Sequence, residues 1–176
     1  MGLLELFAFR NWPRPTGTPD LTLDLTRPSL GAVRLGEDQA ALPRRLGPPA
    51  SYRHMKRRGL WVYPAWGVVF EVERNRVTGF SATVLGVEGT PPRLVAGRWR
   101  PYAGEVVLRR GGTRCPADRL TTEAIWEALG APHQVEEGAE ETVLYYRFGV
   151  WGTDVEFLPD GRFTHASVFV TRQEPR

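Results

Sequence analysis

The chain of 176 residues holds one cysteine, Cys115, and one lysine, Lys56. A lone cysteine excludes an intrachain disulfide, so packing and hydrogen bonds must hold the fold. The three histidines, His54, His133 and His165, stand apart, with no HxxxH or HExxH spacing and no cysteine beside them. That leaves no readable set of three or four zinc ligands. There is no Gly-x-Ser-x-Gly elbow, no P-loop and no dinucleotide fingerprint, and Gly111-Gly112 reads as a turn. The apolar stretch Met1 to Phe9 is interrupted by Glu5 and followed by Arg10. It is too short to span a membrane and lacks the small-residue cleavage site of a secretory signal. These absences predict no catalytic residue, no metal, no cofactor and no membrane, in a cytoplasmic protein.

What is present is ordinary in amount and uneven in placement. A 41% hydrophobic share is enough for a core, while 15 prolines and 19 glycines imply short elements and many turns. The net charge of +3 is not spread evenly. Arg53, Lys56, Arg57 and Arg58 make the densest basic run, and Glu136, Glu137, Glu140 and Glu141 the densest acidic one. Either run can steer a charged partner, but solvated loops account for both. The 22 arginines fit a GC-rich coding sequence as readily as phosphate binding.

The strongest pattern is internal. Leu42, Leu46, Gly47, Pro49 and Tyr63 recur, with one offset, as Ile125, Leu129, Gly130, Pro132 and Tyr146. Trp66-Gly67 and Trp151-Gly152 follow with the offset lengthened by two. A period of this length marks a supersecondary unit used twice. In the first copy Gly36-Glu-Asp starts a helix that Pro43 should shorten, kink or split, since proline costs about 3 kcal/mol in a helix interior. In the second, Thr121 or Thr122 caps a helix with Ile125 and Leu129 inward, and Gly130 ends it. Strands are predicted over 59–63, 68–73 and 77–84, then 142–148, 152–158 and 163–170, with Asp160-Gly161 a strong hairpin signal. Leu21 to Leu25 alternates as a half-buried strand, and Ala96–Arg100 and Gly104–Leu108 read as connecting strands. The predicted organisation is an N-terminal segment (1–20) able to dock on the core, a first copy (21–88), connecting strands (89–115), a second copy (116–170) and a tail (171–176). The predicted fold class is α+β: two pseudo-repeats of helix plus antiparallel meander, forming one twisted antiparallel sheet with the helices on one face.

This unit of helix, Leu-Gly-x-Pro, Tyr strand, Trp-Gly strand and third strand resembles the small module of the β-lactamase inhibitor protein family, which carries it in tandem. It also resembles the SmpA/BamE outer-membrane lipoprotein domain. The resemblance covers Gly36–Val84 and Leu120–Val170. It implies a non-catalytic protein-binding architecture, and it transfers no inhibitory residue. The disulfides of the inhibitors and the lipidated cysteine of the lipoproteins have no counterpart here.

Aromatic residues are the remaining functional signal. If Leu60 and Val62 face the helices, strand alternation puts Trp61 and Tyr63 on an open face. Trp61, Tyr63, Trp66, Tyr145, Phe148 and Trp151 are therefore the candidate partner-binding residues, because Tyr and Trp suit interfaces. Tyr63 and Tyr146 read equally as core residues that define the period. Glu71 and Glu156 occupy equivalent positions and read as a polar sheet face. The expected function is a protein-binding module of the inhibitor or immunity type, acting on an unidentified protein partner, with oligomerisation through a strand edge left open. A small-ligand carrier or an enzyme with a site between the copies is the first alternative. Nucleic-acid binding is the second, and the acidic run counts against it.

Overall fold

The structure, a computed structural model, describes residues 19–55, 58–84, 99–108 and 114–171, with 53–55 described for their backbone alone. Among the described residues three short strands come first: β1 (Leu23–Asp24), β2 (Ser29–Leu30) and β3 (Val33–Arg34). Helix α1 (Ala41–Leu46) precedes β4 (Ser51–Met55), β5 (Arg58–Tyr63), β6 (Val68–Glu73) and β7 (Arg76–Thr83). Then β8 (Glu105–Val107) and β9 (Arg114–Pro116) lead through a 3₁₀ turn to helix α2 (Thr122–Leu129). The last four strands are β10 (Gln134–Glu137), β11 (Thr142–Phe148), β12 (Trp151–Phe157) and β13 (Phe163–Val170).

The long strands build one sheet of eight in the order β10-β11-β12-β13-β7-β6-β5-β4. Each four-stranded half is an antiparallel meander, and the halves join where β13 runs antiparallel to β7, Ser167 opposite Ser81. The short strands form a second sheet of five, β3-β2-β1-β8-β9, in which β1 and β8 are parallel.

The expected α+β fold, two helix-plus-meander pseudo-repeats on a single sheet, is overturned. Strands take 47% of the described residues and helices 13%, and those residues form two sheets. The physical reason lies in the helices. The six residues of α1 bury Ala41, Leu42, Pro43 and Leu46, and the eight of α2 bury Ile125. So few side chains cannot cover an eight-stranded sheet. The second sheet supplies the rest: Leu23, Leu25, Leu30, Val33 and Val106 are all at most 1% exposed, in one cluster with Phe70, Phe80 and Val168 of the large sheet.

Local signals explain the helix ends. Because α1 begins only at Ala41, Pro43 falls in its first turn, where a missing N–H deprives no carbonyl. Pro43 thus limits how far the helix can extend toward its N-terminus. Thr121 Oγ1 accepts a hydrogen bond from the Ala124 N–H at 3.2 Å and caps α2. Gly47 and Gly130 close the two helices with φ of 76° and 82°, a conformation that glycine adopts without strain. Edge strands β4 and β10 occupy segments that read as polar loops. All four residues of β10 are exposed, so no apolar alternation marks it, and only its ladder to β11 defines it. Of the expected connecting strands, Gly104–Leu108 contains β8. Residues 96–98 lie outside the described residues, and Trp99–Arg100 belong to no strand. The N-terminal segment before residue 19 and the tail beyond 171 also lie outside them.

Candidate functional site

Successive side chains of a strand point to opposite faces of its sheet, so ladder register assigns every residue to one. The inward face carries Trp61 and Tyr63 of β5 opposite Phe70 and Val68 of β6. Trp61 is 4% exposed and Tyr63 3%. Both belong to the core cluster, so the expectation that they line an open face is corrected; alternation makes Leu60 and Val62 the outward pair, with Val62 itself buried at 2% exposure. The thick layer of second sheet and helices over the inward face has room for rings, and a buried ring removes far more area from water than an aliphatic chain. The Tyr63 hydroxyl finds its partner there, donating to the Gly47 carbonyl at 3.1 Å at the end of α1. Tyr146 repeats the bond to Gly130 at 3.3 Å, after α2.

The other candidates divide. Trp66 sits half-buried in the β5–β6 turn, stacked on Tyr63 with centroids 5.3 Å apart. Phe148 and Trp151 pack on each other at 4.4 Å and lean on the core from the end of β11 and β12. Tyr145 points outward, donating to Glu136 Oε2 at 2.9 Å. That bond, with some burial, pushes its phenol up to about 12. Five of the six candidates thus serve the core or its rim.

The outward face is of another composition. Reading across β12, β13, β7 and β6, Gly152, Phe169, Gly79 and Glu71 lie opposite one another. The next row is Asp154, Ser167, Ser81 and Val69, and beyond it come Glu156, His165 and Thr83. Phe169 stands as a ridge between two glycines. On its Gly79 side is a cleft of about 260 Å³ lined by Val69, Glu71, Ser81, Asp154, Ser167 and Phe169. On its other side, toward β11 and β10, a hollow of about 680 Å³ is lined by Tyr145, Arg147, His133 and Phe169 among others.

Charge on this face is mostly negative and poorly solvated. Burial pushes the Asp154 carboxyl up to about 6, with Glu71 adding repulsion. Burial likewise raises Glu156 to about 7, helped by Glu141 and Asp154. One Asp154 oxygen, Oδ1, is buried with no hydrogen-bond partner. His165 is held down to about 4 by burial, hence neutral near pH 7. Its Nδ1 lies 2.8 Å from Thr83 Oγ1 and its Nε2 2.9 Å from Ser167 Oγ, so both nitrogens are engaged by hydroxyls that can donate or accept.

Chemically, the face can attract cations. Among the described residues no group of three or more His, Cys, Asp or Glu side chains is placed to hold a metal ion. Half-buried Cys115 has its thiol raised by burial and by Asp118, which disfavours the reactive thiolate. Sequence reasoning noticed Glu71 and Glu156 but not Asp154, Phe169 or Gly79. Alternation from Glu156 would have reached Asp154. Phe169 and Gly79 join them only through the β13–β7 register, which no local pattern encodes.

No family model and no curated protein matches this chain. Among solved structures it is similar to a DUF4309 family protein from Bacillus subtilis, at 13% identity over 81% of this chain and 84% of that one, with a TM-score of 0.50. It is also similar to a cysteine-rich secretory protein from Staphylococcus aureus, at 10% identity over 78% of this chain and 43% of that one, with a TM-score of 0.47. The first likeness speaks to the fold alone, and the second carries no argument.

Proposed function

We infer that this chain is a non-catalytic protein-binding module, of the inhibitor or immunity type, that engages its partner through the outward face of the eight-stranded sheet. The observation that carries the reading is the contrast between faces. One is covered by the second sheet and the helices, while the other presents an aromatic ridge between two hollows, rimmed by Tyr145, Arg147 and Glu71. Aromatic and arginine side chains are the residue types enriched at protein interfaces. The same reading keeps a tandem origin for the two meanders, related to the β-lactamase inhibitor module. It also keeps a cytoplasmic setting, where an unpaired thiol such as Cys115 is stable. Among the described residues no helix is long and apolar enough to cross a membrane.

Photo-crosslinking tests it. A benzoylphenylalanine placed at Phe169 should capture one protein from the source cell's lysate, and the same probe at exposed Trp126 of α2 should not. Adducts at 126 with none at 169 would move the binding surface off the sheet. A second reading draws on the carboxyls of Asp154 and Glu156, raised toward neutrality as acid–base groups often are. It makes the central cleft a small-ligand or catalytic site, and it predicts a small-molecule adduct at Phe169 in place of a protein.

A further inference from the structure

Gly79 has no structural reason to be glycine. It lies inside β7 in the middle of the sheet, where glycine weakens a strand relative to any residue with a side chain. Its φ is not in the left-handed region, since positive values among the described glycines occur at seven turn and cap positions that exclude it. The ladder irregularity beside it, where Glu71 pairs with Gly79 and Val72 with Val77, imposes no such φ either. A Cβ built on Gly79 would come no closer than 3.4 Å to Val168 O and 3.6 Å to Glu71, which is ordinary contact. Gly152, across Phe169, is different: its Cβ would sit 2.7 Å from the Tyr146 carbonyl. One glycine is demanded by the backbone and the other is not. A strand glycine marks a bulge or a close approach; the irregularity beside Gly79 does not call for a left-handed φ there, which leaves close approach by something else.

The walls of the resulting slot say what approaches. Glu71 Oε2 lies beside the Gly79 position, and Asp154 stands on the other side with Oδ1 buried and unpartnered. Among the described residues, no arginine forms an ion pair with either carboxylate. Phe169 and Val69 give the slot apolar sides, and Ser81 and Ser167 line its floor. A long stem ending in a cation matches each part: methylenes along the ring, nitrogen donors toward the two carboxylates. We propose that the Gly79 slot receives a basic side chain, arginine or lysine, of the protein partner, laid against Phe169 and ending between Glu71 and Asp154. The proposal rests on the outward-face reading above and names the chemistry that face selects.

The test is an amide-resolved NMR titration of the full chain with N-acetyl-arginine methylamide and with the corresponding citrulline derivative, equal in shape and uncharged. The arginine probe should give saturable shifts at Gly79, Ser81, Asp154, Ser167 and Phe169, and citrulline should bind about tenfold more weakly. Gly79→Leu, which fills the slot, should abolish the shifts. Glu71→Gln with Asp154→Asn should bring arginine down to the citrulline level in a spectrum otherwise like the wild type, which guards against misfolding of the leucine variant. Equal response to both probes, or shifts unmoved by the double carboxamide variant, overturns the proposal. If crosslinking at Phe169 succeeds while the probes fail to differ, the face binds its partner without a cation. If crosslinking fails but arginine is selected, the slot stands and the protein partner does not.

Discussion

The two faces of the eight-stranded sheet are made by the same strands and share nothing else. Inward, β5, β6, β7, β12 and β13 place Trp61, Tyr63, Phe70, Phe80, Phe157 and Val168, each at most 4% exposed. Outward, the alternate positions of those strands hold Glu71, Gly79, Ser81, Asp154, Gly152, Ser167 and His165. The inward face is filled to the density at which a single methylene matters. The outward face keeps hollows, an unpartnered carboxylate oxygen and a neutral imidazole, features that cost folding free energy. The comparison teaches that strand parity separates the aromatic core from the polar face across the middle of the sheet, while toward the β5 edge outward Val62 is buried as well.

The comparison breaks most visibly at the rings. Trp61→Ala should cost about 3–5 kcal/mol in urea unfolding, whereas Phe169→Ala on the other face should cost about 1 kcal/mol, since half-buried rings surrender less area. Equal losses would mean that the outward ridge is core. Next comes Gly152→Ala, which sets a methyl 2.7 Å from a backbone carbonyl and should lose about 2 kcal/mol or more, as overpacking does. A neutral result would remove the contrast between the two glycines.

Asp154→Asn should act in the opposite direction. The folded carboxyl is pushed up to about 6 from its ordinary 3.8, so between those pH values the folded state holds the extra proton. Stability then falls as pH rises through that window, and the whole penalty is present above it. The asparagine variant should gain about 1–2 kcal/mol at pH 7.5 and almost nothing at pH 4. His165, depressed to about 4, works the other way, favouring the fold above 6.5 and less as pH falls toward 4. It is present in both proteins and cancels in their difference. A gain that does not change with pH would mean that Asp154 is solvated. The smallest effects belong to the two tyrosine hydroxyls: Tyr63→Phe should lose about 1 kcal/mol for a buried hydrogen bond. Tyr146→Phe should lose less, its bond being longer at 3.3 Å and only partly buried.

What the sequence revealed follows the same division. The hairpins β5–β6–β7 and β11–β12–β13 were legible because alternation and turn residues are local. The spacing from Gly47 to Tyr63 and from Gly130 to Tyr146 was legible too, and its meaning is one bond, tyrosine hydroxyl to post-helix carbonyl. The second sheet was not, because β1, β2, β3, β8 and β9 are two or three residues each and are assembled from segments some 80 residues apart, as Leu23 beside Val106 shows. The faces were inverted because alternation fixes which residues share a face and leaves open which face is buried. Size decided it: the larger rings of Trp61 and Tyr63 went inward. The outward cleft was hidden because its walls come from four strands whose order only the completed sheet defines.

The most direct test of the account is the unfolding free energy of Gly79→Ala in urea beside that of the wild type. An outward face shaped for a partner predicts a protein as stable or up to about 1 kcal/mol more stable, because alanine suits a strand interior and the space for its methyl is already there. A loss of more than about 1 kcal/mol would show that the fold itself requires this glycine, and the slot would then be a by-product of packing.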